Sequence, residues 1–101
     1  WERYASDAYL PIIRLLFELY ARAIREPERF HDFLGDVVDS WLAPVAALFE
    51  AQLGLAPAEA RARARIQVAT MRGLLLDLVT TGDRKGTTAA LKRFARMITA
   101  P

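Results

Sequence analysis

The stretch Ile66 to Thr81, IQVATMRGLLLDLVTT, constrains this 101-residue chain more than any other, because it puts two apolar stripes on a single helix. At about 100° per residue, Val68, Met71, Leu75 and Leu78 line one side. Ile66, Ala69, Gly73, Leu76 and Thr80 line the nearly opposite side. A helix with two apolar sides needs two packing partners. The bulky first stripe suits the protomer's own core. The second centres on Ala69 and Gly73, whose small side chains let another helix approach closely, and in so short a chain that helix is expected to come from a second copy.

Length and composition narrow the rest. A chain of 101 residues makes one domain, 1–101, able to bury about 60 to 70% of the surface its unfolded form exposes. It has no cysteine, which excludes disulfides and thiolate metal sites. Fourteen Lys and Arg against twelve Asp and Glu leave a formal charge of +2, too mild to point to nucleic acid. No apolar run approaches the roughly 20 residues of a membrane span, and neither a signal peptide nor a membrane partner is expected. The chain opens at Trp1, and a segment upstream of it is expected.

The apolar periodicity and the Pro/Gly punctuation predict an all-α fold with helices near 7–25, 28–53, 57–81 and 83–99. In the first, Asp7 is placed to cap and Pro11 falls in the opening turn. Leu10, Ile13, Phe17, Tyr20 and Ile24 repeat at helical spacing, widened by Ile12, Leu16 and Leu19, so this helix is expected to be mostly buried. Glu18 and Arg22 are spaced for an ion pair. Pro27 makes a sharp corner. Phe30, Phe33, Leu34, Val37, Val38, Trp41, Val45, Leu48 and Phe49 give the second helix one broad apolar face, and Pro44 is expected to kink it and open space beside Trp41. Gly54 and Gly82 are natural stops. Arg61, Arg65 and Arg72 should form the solvent strip of the third helix. Asp83 can cap the fourth, although Gly86 and two threonines could delay its start to Thr88.

Little in the chain suggests catalysis. Glu28 and His31 match the Glu-x-x-His spacing of di-iron bundles, but one histidine and no inward carboxylate on the first helix argue against metal. The plain reading of His31 is the edge of an apolar face, and that of Asp32, Asp36 and Asp39 is a solvated flank. Arg61, Arg63 and Arg65 alternate, so they point about 200° apart and gather no phosphate-binding patch. Asp77 sits among leucines and is expected to find an arginine partner or a ligand. No cofactor and no enzymatic role is expected.

Taken together, LFELYARAIREPER at 16–29, FL…VVDSW at 33–41, MRGLLLDLVTTGD at 71–83 and ALKRFARMI at 90–98 resemble the C-terminal regulatory domain of TetR-family transcriptional regulators. The resemblance runs from about Tyr9 to Ile98. It implies a homodimeric, cytoplasmic repressor whose last two helices form an intermolecular four-helix bundle, and which releases operator DNA when a small molecule enters a pocket among the helices. The family's helix-turn-helix reader is not in this chain, so operator contact is expected through an N-terminal domain. The inner helix faces nominate Phe17, Tyr20, Trp41, Met71 and Leu75 as an apolar ligand pocket, the alternative being that all five are core. Ile66, Ala69, Gly73, Leu76, Leu91, Phe94 and Ile98 are expected at the centre of the dimer. A stand-alone helical interaction or assembly module without ligand is the other reading; a small four-helix enzyme is a distant third.

Overall fold

The computed structural model describes the backbone of residues 1–101 and every side chain except that of Leu34, so the place expected for Leu34 on the apolar face of the second helix lies outside the described residues. Four helices follow one another: α1 (Leu10–Arg25), α2 (Pro27–Leu53), α3 (Pro57–Thr81) and α4 (Arg84–Thr99). No strand occurs among the described residues.

Local chemistry sets the ends. A single residue, Glu26, separates α1 from α2, and Pro27 opens α2 where its missing N–H has no helical partner to lose. Gly54 (φ 64°) and Gly82 (φ 73°) end α2 and α3 in the left-handed region, which glycine enters without a Cβ penalty. α2 continues through Pro44 as one helix. Asp83 caps α4 by accepting from the Gly86 N–H at 2.8 Å, so α4 begins at Arg84 and the weak early residues do not delay it to Thr88.

Asp7 does not cap α1. The helix begins three residues later, after turns that tie Ala5 N–H to the Trp1 carbonyl (2.8 Å) and Tyr9 N–H to the Ser6 carbonyl (2.9 Å). Asp7 instead accepts from Arg84 Nη2 at 2.9 Å, and Arg84 Nη1 donates to the Ala5 carbonyl. Trp1 Nε1 donates to Thr88 Oγ1 at 3.3 Å. The opening turns are thus pinned to the start of α4.

α3 is the wall against which the rest packs. Its first half presents Ala60, Ala64 and Val68 to Leu42 and Phe49 of α2, joined by Val38, Val45, Ala46, Leu55 and Ile98. Ala60 and Ala64 are fully buried, and their small size lets α2 come close. The second half presents Leu75 and Leu78 to Ala5 and Ile13, joined by Phe17, Tyr9 and Leu10. Among the flanking charges, Arg63 Nη1 donates to the carbonyls of Ile98 (3.2 Å) and Ala100 (3.1 Å), closing the end of α4 onto α3.

Two expectations about burial need correction. α1 is not mostly buried: only Ile13 and Ala23 are, while Ile12 and Leu15 are 54% and 56% exposed. It meets neighbours only along the side facing α2 and α3, and its apolar arc is wider than that contact. On α2, Leu42 and Phe49 are buried, whereas Trp41, about 100° round the helix from Leu42, is 37% exposed, because α3 covers only the middle of a broad arc. Likewise Arg22 pairs with Glu26 (3.8 Å) rather than with Glu18.

The molecule is a slab of 37 × 36 × 19 Å with a radius of gyration of 14.7 Å, against about 13 Å for a compact domain of this length. Its accessible surface is 6908 Å², whereas a folded monomer of this mass exposes about 5,700 Å². Ile12, Leu15, Ile24, Leu48, Ile66 and Met97 are among the large apolar side chains left exposed.

Candidate functional site

The two stripes of α3 part as their spacing divides them. Val68, Leu75 and Leu78 lie in the core. Ile66 (51%) and Leu76 (44%) are exposed, as are Ala69 and Gly73 between them. A Cβ built on Gly73 meets nothing within 4 Å, so this row is open to an approaching helix. On α4, Leu91 and Phe94 are half-buried. Ile98, expected at the centre of the dimer seam, packs against the Leu42 and Val68 cluster of its own protomer. The exposed apolar residue of that last turn is Met97, at 73%. Sequence reasoning passed over Met97 because a one-residue difference in helix rotation exchanges the two.

The five nominated pocket residues do not gather round one space. Leu75 is in the core and Phe17 packs beside it. Tyr20 lies next to Phe17, ring centres 6.1 Å apart, with Arg72 across its face. Met71 is half-buried. Trp41 stands on the outer arc of α2.

The cleft that does form lies where the end of α1 and the first half of α2 meet α3, with a volume of about 380 Å³. Ala23, Pro27, Gly35 and Val38 make its floor, and His31, Asp39 and Arg65 stand on its rim. It exists because side chains are small or missing there: Ala23 offers one methyl, Gly35 none, and a Cβ at Gly35 would meet nothing within 4 Å. The rim charges are unequal. Asp39 Oδ1 lies 3.7 Å from Arg61 Nη2, and His31 Nδ1 lies 3.6 Å from Asp32 Oδ1. Arg65 forms no ion pair among the described residues. A second groove, of about 450 Å³, follows the corner from Arg25 to Arg29, where Arg22 and Arg29 lie 5.9 and 5.6 Å from the Phe30 ring centre.

Asp77, expected to seek an arginine or a ligand, is exposed, and its carboxylate accepts from Thr81 Oγ1 at 3.2 Å within its own helix. Among the described residues, no helix is long and apolar enough to cross a membrane. Comparison with family models, with curated proteins and with solved structures finds no match to this chain.

Proposed function

We propose that this chain is the ligand-sensing and dimerisation domain of a TetR-like transcriptional repressor, in which binding of a small, mainly apolar molecule leads to release of operator DNA. The observation that carries the reading is the exposed row Ile66, Ala69, Gly73 and Leu76 on a helix whose other side is already core. Left in water, that row keeps apolar side chains exposed that a partner helix would cover. A two-fold axis through α3 and α4 covers it with one self-complementary patch.

The sensing step follows from the same helix. α3 forms one wall of the α1–α2–α3 cleft through Arg65, one residue before Ile66 of the outward row. A ligand that wedges the cleft shifts α3 relative to its partner, and a small rotation there is amplified at DNA readers held on the two protomers. No catalytic residue is assigned, and operator contact belongs to a domain N-terminal to this one. The other reading, a helical assembly module without ligand, draws support from Phe33, Trp41 and Leu48, which are 45%, 37% and 55% exposed on α2. Thermal melting against a panel of small apolar and amphipathic compounds separates the two. Sensing predicts that some member raises the melting temperature in proportion to the logarithm of its concentration; a flat panel on a dimeric protein favours the assembly module.

A further inference from the structure

We infer that the cleft between α1, α2 and α3 takes a small amphipathic anion, a carboxylate on a short aliphatic or single-ring body, with Arg65 as its counter-charge. This rests on the ligand-sensing reading and adds the site and the chemical class. The volume, about 380 Å³, falls within the range of roughly 300 to 1,000 Å³ seen for small-molecule sites. The floor of Ala23, Pro27, Gly35 and Val38 presents no side-chain donor or acceptor, so the part of the ligand that enters must be apolar.

The rim sets the sign of the head group. Its one carboxylate, Asp39, already faces Arg61 at 3.7 Å, which lowers its value for an ammonium. Arg65 is the unmatched charge on the rim. A guanidinium offers a planar fork of donors that fits a carboxylate in two parallel hydrogen bonds, and it stays charged throughout the accessible pH range. A divalent cation has no basis here, since one carboxylate and one histidine make too few ligands.

The test titrates the whole 101-residue chain by ¹H–¹⁵N correlation spectroscopy with three probes of equal length: hexanoate, hexan-1-ol and hexylammonium. The expected result is a set of shifted amides centred on Gly35, Val38 and Arg65. Hexanoate should bind about fivefold more tightly than hexanol, the discrimination one partly exposed ion pair supplies, and hexylammonium most weakly. Arg65→Gln, a change at an exposed position, should bring hexanoate down to the level of hexanol. Gly35→Leu should abolish binding of all three by filling the floor, and it should fold, because the site is open and leucine is the better helix former. Hexanoate binding no better than hexanol, or unmoved by Arg65→Gln, overturns the anion assignment and leaves ligand sensing standing. Shifts confined to Phe17, Tyr20 and Leu75 overturn the site and again spare the sensing reading. No shift with any probe, together with a flat melting panel, removes both.

Discussion

Across the α1–α3 contact, Arg72 donates from Nη1 to the Tyr20 hydroxyl at 3.4 Å, with its guanidinium carbon 5.8 Å from the centre of the Tyr20 ring. Arg72 is half-buried there, and does not stand in a solvent strip with the exposed Arg61 and Arg65. The hydroxyl that could have served a ligand is therefore engaged by the protein itself. Arg72→Ala should cost about 1 kcal/mol through the lost stacking and hydrogen bond, lowering the melting temperature by roughly 4 to 8 °C. Arg72→Lys should recover only part of this, since an ammonium lacks the planar face. Thermal unfolding followed by circular dichroism reads both.

The start of α4 gives a sharper expectation. Gly86 donates its N–H to Asp83 Oδ1 at 2.8 Å, and a Cβ at Gly86 would overlap that same carboxylate, lying 2.8 Å from its Cγ. Helix propensity alone says that Gly86→Ala stabilises by about 1 kcal/mol. The cap says the opposite: the carboxylate must leave, and losing an N-cap costs about 1 kcal/mol. Gly86→Ala should therefore yield no net gain in the wild type, yet it should stabilise an Asp83→Ala background. A double-mutant cycle in urea measures the coupling.

These two sites show what could be read in advance and what could not. The ends of α2 and α3 are legible in Pro27, Gly54, Pro57 and Gly82, because each acts through its own backbone. Asp83 caps and Asp7 does not, although both look like caps, since α1 begins only at Leu10 and Asp7, two residues before its N-cap Tyr9, faces Arg84 instead. Apolar arcs broader than any neighbour could cover left the choice between Leu42 and Trp41, and between Ile98 and Met97, to the packing. The cleft was illegible for another reason. Its defining residue, Gly35, contributes an absence, and Arg65 looks like any solvated arginine until α1 and α2 are set beside it.

The two stripes of α3 should separate folding from association. Gly73→Leu adds a side chain into open space on the protomer, so its folding should be unchanged or slightly firmer, while the approach of a second α3 is blocked. Dimerisation should weaken by at least tenfold, the loss that follows when about 1.4 kcal/mol of close packing is removed. Val68→Ala, at a position only 7% exposed against Phe49 and Leu42, should instead cost about 2 kcal/mol of folding stability and leave the association constant nearly unchanged. Denaturation at several protein concentrations resolves the two effects.

With a net charge of +2 and Arg61, Arg63 and Arg65 spread round α3, too few phosphates can be neutralised at once for firm binding. The isolated chain should show no sequence-selective retention of duplex DNA in a gel-shift experiment at physiological salt. Selective retention would place a reader within these helices.

Sedimentation equilibrium of the 101-residue chain at micromolar concentration tests the central claim most directly, since sensing, the α3 seam and the repressor reading all require two copies. The account predicts a species of twice the 11.3 kDa chain mass, shifted toward monomer by Gly73→Leu and unaffected by Arg65→Gln. A wild-type species of 11.3 kDa that keeps its full helical circular dichroism would contradict it.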